Sequence, residues 1–241
     1  MPGMAELRTA VVEGRTVRWR SVGSGPPLVL VHGLAGSWRW WRPLLPGLAL
    51  ERTVHALDLP GFGRLPRVRP FALDEAVDWL AAWFDAEAVE SADVVGHSLG
   101  ALVATRLASR RPELVRRLAL VAPAGVPRPP LELTRPFVRA VLTSSPRFLA
   151  LLARDTVRSG PVTIGTALLE LLAADVRADV AAVRAPTLVV VGRKDPLVPP
   201  SDAAELARVL PDLVVRELET GHVPMVERPH ELTRELLAFL R

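Results

Sequence analysis

One pentapeptide, Gly96-His97-Ser98-Leu99-Gly100, constrains the fold more than any other stretch of this 241-residue chain. It follows the apolar run 92–95 and precedes a helical pattern over 99–110, so it occupies a predicted strand-to-helix turn. In such a turn the central serine takes a strained backbone conformation, and the flanking glycines let helix and strand approach closely. The sequence therefore predicts a serine side chain held out beyond the end of a strand.

Two later residues, Asp195 and His222, strengthen this signal. A G-x-S-x-G match alone is moderate evidence for a turn that carries a nucleophilic serine. Roughly one chain in ten of this length contains such a match by chance, and serine commonly caps helices. Asp195 and His222 each lie in a loop after a predicted strand, at 187–191 and 213–218. Carboxyl ends of parallel strands share one sheet edge, so the sequence predicts that Ser98 meets both residues. A surface turn is the competing interpretation of Asp195.

Short apolar runs alternate with amphipathic helical patterns along most of the chain. The predicted strands are a hairpin over 8–13 and 16–21, then 28–31, 53–57, 92–95, 117–122, 187–191 and 213–218. The predicted helices of this part are 74–88, 99–110, 201–210 and a last one from Pro229. This order predicts an α/β fold with a mainly parallel, twisted sheet and helices on both faces.

The pattern changes between residues 125 and 182. Six prolines from Pro127 to Pro161 punctuate apolar helical pieces at 131–142, 147–157 and 162–172, and none of these has strand character. We expect a helical cap here, inserted over the carboxyl edge of a core made of 1–124 and 183–241. The seven arginines between Arg128 and Arg177 are interpreted as a solvated outer face, and the apolar inner face predicts an apolar pocket.

Composition excludes several classes of site. The chain has no cysteine, and no pair of its five histidines has ligand spacing on one helix, so we predict neither disulfides, metal nor cofactor. The net charge is only +4, but the sequence pI is 10.9. The pI is high because the chain has a single lysine and no tyrosine or cysteine, so almost no group titrates between histidine and arginine. With so small a net charge, the high pI is weak evidence for a polyanion partner, and we expect no nucleic-acid partner.

Three further expectations come from the same composition. No apolar run approaches the ~18 residues that span a bilayer, which predicts no membrane span. The first residues lack a basic segment followed by an apolar one, so the predicted location is cytoplasmic. Asparagine and glutamine are absent and arginine replaces lysine, which indicates either a thermophilic source or a GC-rich genome. A thermophilic source predicts a melting temperature above about 60 °C.

The loop after the strand at 28–31 reads His32-Gly33-Leu34-Ala35-Gly36. Small residues directly after a strand leave backbone N–H groups pointing into the space above the sheet, where they suit an oxyanion hole. We place the two donors at Leu34 and at Leu99, the residue after the serine. His32 itself is interpreted as a turn histidine bonded to nearby backbone.

These motifs, in this order, resemble the α/β-hydrolase superfamily. The resemblance covers almost the whole chain outside the cap. It rests on Gly96–Gly100, His32-Gly33, Asp58–Gly63, Asp195 with its prolines, and Gly221-His222 with Glu227-Arg228-Pro229 behind it. It implies that Ser98 is the nucleophile, His222 its base and Asp195 the residue that orients His222. Leu197 and Val223, next to the last two, are the predicted pocket residues. The resemblance gives His97 a packing role and no catalytic one.

Within that resemblance, acyl chemistry is favoured. Relatives with an aspartate nucleophile or with cap tyrosines do not match, because position 98 is serine and the chain has no tyrosine. The lyases of this fold that place a lysine beside the catalytic histidine do not match either, because Val223 follows His222. We expect a serine hydrolase that cleaves small to medium carboxylic esters with apolar acyl groups. Two alternatives remain: hydrolysis of a carbon–carbon bond in a vinylogous diketone, which the cap arginines keep open, and a non-catalytic ligand-binding protein. The oligomeric state is not predicted.

Overall fold

The computed structural model describes residues 6–63, 65, 70–129, 132, 134–210 and 212–241. Its strands are β1 (Glu6–Val12), β2 (Arg15–Val22), β3 (Pro27–Val31), β4 (Thr53–Leu57), β5 (Ala92–His97), β6 (Val115–Val121), β7 (Thr187–Gly192) and β8 (Val214–Leu218). Its helices are α1 (Leu45–Leu48), α2 (Leu73–Ala86), α3 (Leu99–Arg110), α4 (Thr134–Thr143), α5 (Pro146–Ala173), α6 (Arg177–Ala182), α7 (Pro200–Val209), α8 (Pro224–Glu227) and α9 (Pro229–Leu240). Among the described residues, no helix has both the length and the apolar character needed to cross a bilayer.

The strands form one sheet in the order β1-β2-β4-β3-β5-β6-β7-β8. β1 pairs antiparallel with β2 and β2 antiparallel with β4, while the remaining pairs are parallel. β5 therefore lies at the middle of the sheet, between β3 and β6. Val31 of β3 pairs with Gly96 of β5, so the loop after β3 begins beside the turn that carries Ser98. This arrangement confirms the predicted α/β fold and the predicted hairpin.

Apolar residues on both faces of the sheet explain why it is buried between two layers of helices. In β3, Val29 and Val31 join a core formed with α2, α3, α6 and α7, while Leu28 and Leu30 join a second core formed with α1, α8 and α9. All four side chains are fully buried. A continuous run of leucine and β-branched residues is typical of a parallel strand covered on both sides. The strands thus fix a rigid edge from which the site loops emerge.

Between β6 and β7 lies a helical segment, residues 125–182, called the insertion below. It contains α4, α5 and α6, and no strand among its described residues. The two predicted pieces at 147–157 and 162–172 are the two helical segments of α5. They are separated at Gly160, which has the non-helical angles φ 72° and ψ 167° directly before Pro161. α6 was not predicted, and it packs on α3 with Val180 buried in the core. Residues 131 and 133 of the first predicted piece lie outside the described residues.

Hydrogen bonds tie α5 to loops of the sheet. The Ser37 hydroxyl, after β3, donates to the Asp155 carboxylate at 2.7 Å, and both side chains are fully buried. The Phe71 N–H, before α2, donates to the Thr166 hydroxyl at 2.9 Å. Since buried polar groups are costly without partners, these bonds favour one seating of α5 above the carboxyl edge of the sheet.

Candidate active site

Ser98 lies in a tight turn between β5 and α3. Its backbone angles are φ 50° and ψ −114°, which a residue with a side chain rarely adopts. A Cβ added to Gly96 would lie 2.4 Å from the Gly100 carbonyl oxygen, and one on Gly100 would lie 2.4 Å from the His32 carbonyl oxygen. Only glycine fits at these two positions, which explains the spacing seen in the sequence. The turn therefore holds Ser98 at the end of the central strand.

Asp195 and His222 are carried by two neighbouring loops that pack backbone against backbone. A Cβ on Gly192, at the end of β7, would lie 2.3 Å from the Gly221 carbonyl oxygen. The Lys194 N–H also donates to the Thr220 carbonyl at 2.9 Å. Because β7 and β8 are adjacent and parallel, their loops leave the sheet side by side. This close approach brings the carboxylate within reach of the imidazole.

The structure brings the three predicted side chains into one hydrogen-bonded row. His222 Nε2 lies 3.2 Å from Ser98 Oγ, and His222 Nδ1 lies 2.8 Å from Asp195 Oδ2. The other Asp195 oxygen accepts the N–H groups of Leu197 and Val198 at 2.8 and 3.0 Å. A carboxylate held in this way favours the tautomer in which Nδ1 carries the hydrogen, leaving Nε2 free to accept the serine proton.

Leu34 and Leu99, the predicted oxyanion donors, flank Ser98 in space. Leu34 lines the cavity above Ser98, while Leu99 is the buried first residue of α3. Neither backbone N–H donates a hydrogen bond to another described residue. His32 is fully buried and bonded as predicted, because its Nδ1 donates to the Gly33 carbonyl at 2.8 Å and its Nε2 accepts the N–H of Leu59 at 3.0 Å. Burial also lowers the pKa of His32, which keeps it neutral.

A cavity of about 700 Å³ opens directly above Ser98 and His222. Both predicted pocket residues, Leu197 and Val223, line it. Helices of the insertion form its roof, and its apolar lining includes Trp40, Phe148, Leu152, Ile164, Leu168 and Leu171. A concave, mostly apolar space beside a few convergent polar groups is typical of a site for a small organic molecule.

Among the described residues, five charged side chains line this cavity, and four of them have partners. Arg128 donates to the Asp202 carboxylate, Lys194 pairs with Glu219 at 3.4 Å, and Glu227 accepts the Gly221 N–H at 2.7 Å. Burial raises the pKa of Asp202 to about 6, although Arg128 lowers it in part. The fifth, Arg139 of α4, makes no side-chain ion pair or hydrogen bond with any other described residue.

Two polar residues, Glu227 and His97, hold the His222 loop through contacts that were not predicted. The Glu227 carboxylate accepts the N–H groups on either side of His222, from Gly221 at 2.7 Å and from Val223 at 3.4 Å. His97 Nε2 lies 2.8 Å from the His222 carbonyl oxygen. No signal in the Gly221–Pro229 stretch indicated that the Glu227 carboxylate accepts these N–H groups. Nothing in the sequence spacing indicated the contact of His97.

Comparisons with known proteins agree with this geometry. The alpha/beta hydrolase family model matches residues 28–235. The chain is 32% identical over 250 residues to the pimeloyl-[acyl-carrier protein] methyl ester esterase of Chromobacterium violaceum, covering 91% of this chain and 96% of that protein. It is 34% identical over 257 residues to the dihydrolipoyllysine-residue acetyltransferase component of the acetoin cleaving system of Pseudomonas putida, covering 96% and 68%.

Among solved structures, the enol-lactonase of Burkholderia xenovorans superposes with a TM-score of 0.83 at 24% identity, covering 97% of this chain and 99% of the other. At this identity the likeness concerns the fold. The family match spans both the Ser98 turn and the His222 loop. The chain belongs to the alpha/beta hydrolase family.

Proposed function

We propose that the protein is a serine hydrolase that cleaves carboxylic esters through an acyl-enzyme. The observation that carries the proposal is the row Ser98–His222–Asp195, with distances of 3.2 and 2.8 Å, at the floor of an apolar cavity. A serine hydroxyl becomes a useful nucleophile only when a base removes its proton during attack, and an oriented imidazole does this near neutral pH. The family membership and the esterase relative support the same reaction class.

In the proposed mechanism each group has one role. Ser98 Oγ attacks the ester carbonyl carbon while its proton passes to His222 Nε2, and Asp195 stabilises the imidazolium. The N–H groups of Leu34 and Leu99 bind the negative charge that develops on the carbonyl oxygen, each contributing about 3 kcal/mol. His222 then gives its proton to the departing alcohol, which leaves an acyl-Ser98 ester. Water, deprotonated by the same imidazole, attacks this ester and releases the acid.

The cavity supports esters with apolar acyl groups of small to medium size. Its roof of Phe148, Leu152 and Leu168 offers an acyl chain no hydrogen bonds, and its volume lies within the range of small-molecule sites. The esterase relative acts on the methyl ester of a pimeloyl group carried on acyl-carrier protein. Methyl esters of medium-length chains, free and carrier-bound, are therefore the natural test substrates for this chain.

Hydrolysis of an ester series tests the proposal. Chromogenic esters from acetate to octanoate, together with methyl esters of six- to eight-carbon acids, are incubated with the wild-type protein and with Ser98→Ala. We expect turnover by the wild type, fastest for one chain length, and a loss of about 10⁴ or more in kcat for Ser98→Ala. Equal rates for the two proteins, or no hydrolysis of any ester by the wild type, would contradict an ester hydrolase.

Arg139 favours one second candidate, the hydrolysis of a carbon–carbon bond in a vinylogous diketone that carries a carboxylate. Arg139 lines the cavity and its side chain has no ionic partner among the described residues, which supports a role in binding an anionic substrate end. A diketone substrate assayed beside the esters decides between the two. If the diketone is cleaved faster than every ester, and Arg139→Ala raises the KM for the diketone but not for the esters, the protein is assigned to carbon–carbon bond hydrolysis rather than ester hydrolysis.

A further inference from the structure

His97, the residue before Ser98, contacts the backbone of His222. Its side chain is 1% exposed, and its Nε2 lies 2.8 Å from the backbone carbonyl oxygen of His222. A carbonyl oxygen can only accept, so Nε2 carries the hydrogen and donates it. The bond joins the end of β5 directly to the loop that holds the imidazole.

The other edge of the His97 ring fills the space against the loop after β3. A Cβ added to Gly33 would lie 2.7 Å from His97 Nδ1, so the ring rests directly on the Gly33 backbone, next to Leu34. The Trp40 and Trp41 rings flank it, with centroids 5.8 and 6.5 Å away. The ring is therefore held between the loop that carries Leu34 and the loop that carries His222.

A second contact holds the same loop from the solvent side. Glu227 accepts the N–H groups of Gly221 and Val223, while His97 donates to the carbonyl between them. The backbone polar groups on both sides of the His222 side chain are thus fixed by two separate elements. Such supporting bonds matter because a displacement of about 1 Å at a reacting group costs up to about 100-fold in rate.

Neutrality makes His97 suitable for this position. The ring centroids of His97 and His222 are 5.0 Å apart, so a charge on the first would oppose the imidazolium that forms on the second. Burial, together with the smaller effect of the neighbouring His222, lowers the pKa of His97 to about 3. His97 therefore donates its hydrogen bond without carrying a charge at neutral pH.

We propose that His97 is a positioning residue, whose ring, wedged between the loops of Leu34 and His222, fixes the backbone of His222 so that Nε2 stays aligned on Ser98 Oγ. The proposal rests on the proposed function, since it assigns a support to the same base. It predicts that the N–H donor of His97 matters for turnover more than for substrate binding.

Three variants test this proposal by steady-state kinetics on the best ester. His97→Phe keeps a ring of similar size and deletes the donor, while His97→Gln places an amide N–H at a similar reach. His55→Phe is the matched control, because His55 is also a buried histidine, 4% exposed, but lies in β4 against Trp83. We expect His97→Phe to lower kcat about 10- to 100-fold with KM changed less than about threefold. We expect His97→Gln to recover most of kcat and His55→Phe to leave it within about twofold.

Two results would overturn the proposal. Equal losses of kcat in His97→Phe and His55→Phe would show that His97 contributes packing alone. Failure of His97→Gln to recover kcat would show that the hydrogen bond donated by His97 does not support turnover. If His97→Phe does not fold, as judged by its melting temperature, His97→Leu takes its place. Wild-type turnover tests the proposed function separately. If the wild type hydrolyses no ester, the rate of fluorophosphonate labelling of Ser98 gives the same comparison, and absence of both activities overturns both proposals.

Discussion

At the scale of single residues, Asp195 uses both carboxylate oxygens. One oxygen accepts a hydrogen bond from the His222 ring, and the other accepts hydrogen bonds from two backbone N–H groups of its own loop. The carboxylate therefore cannot rotate without breaking three hydrogen bonds. The sequence could predict the partners Ser98, Asp195 and His222, because each follows a strand whose end is fixed by the sheet. It could not predict Glu227 or His97, since their contacts depend on how the Gly221–Val223 backbone turns.

Replacement of Asp195 by alanine tests the orienting role. We expect Asp195→Ala to lower kcat by about 10⁴, because the imidazole loses both its tautomer preference and the charge that stabilises the imidazolium. Asp175→Ala and Asp179→Ala are matched controls, since these carboxylates pair with Arg177 and Arg106 away from the site. The controls should retain most of the wild-type kcat on the same ester. Equal losses in all three variants would mean that Asp195 is not the orienting acid.

Replacement of Glu227 should lower kcat measurably, but less than replacement of Asp195. Glu227→Ala leaves the Gly221 and Val223 N–H groups without their acceptor, so we expect kcat to fall about tenfold while the protein stays folded. Glu231→Ala, four residues later in α9, is the control, and its kcat should be unchanged. A Glu227→Ala variant with wild-type kcat would show that the loop does not need this support.

At the scale of elements, α5 consists of two helical segments that meet at Gly160, where the backbone leaves helical angles. Proline at 161 predicted a break at this point. The seating of the two segments could not be predicted, because it depends on contacts with residues far away in the sequence. The first half is held by Asp155 on Ser37, and the second half by Thr166 on the Phe71 N–H. These bonds seat both halves above the cavity.

Two glycine substitutions in α5 test the break at Gly160. With φ 72° and ψ 167°, Gly160 is in a region open essentially to glycine alone, so Gly160→Ala should lower the free energy of unfolding by about 1–3 kcal/mol. Gly165 is the matched control in the same helix, and a Cβ there meets no atom within 4 Å. Gly165→Ala should raise stability by about 0.5–1 kcal/mol. Urea unfolding measures both, and a neutral Gly160→Ala would contradict the break.

At the scale of the whole molecule, buried neutral histidines link folding to pH. His55 lies inside β4, and burial lowers its pKa to about 4 from the ordinary value of 6.5. Between these two values the unfolded chain binds the proton and the folded chain does not. The free energy of unfolding therefore falls as the pH drops from about 6.5 towards 4, and the contribution of His55 is fully present only above that window.

His55→Phe isolates this contribution. The variant has no group to titrate at this position, so wild-type stability should fall more steeply than variant stability on acidification, by at most about 1.4 kcal/mol per pH unit. Urea unfolding at pH 7.5 and 4.5 measures the difference between the two slopes. The general cost of the substitution cancels in this comparison. Parallel slopes would mean that His55 binds its proton equally in both states.

Covalent labelling shows whether Ser98 is a nucleophile activated by His222. The wild-type protein is incubated with a fluorophosphonate and digested, and its peptides are analysed by mass spectrometry. We expect one phosphonyl group per chain, attached to Ser98, with no labelling in Ser98→Ala and strongly slowed labelling in His222→Ala. A wild-type chain that takes up no label, or a label that persists in Ser98→Ala, would contradict this role of Ser98.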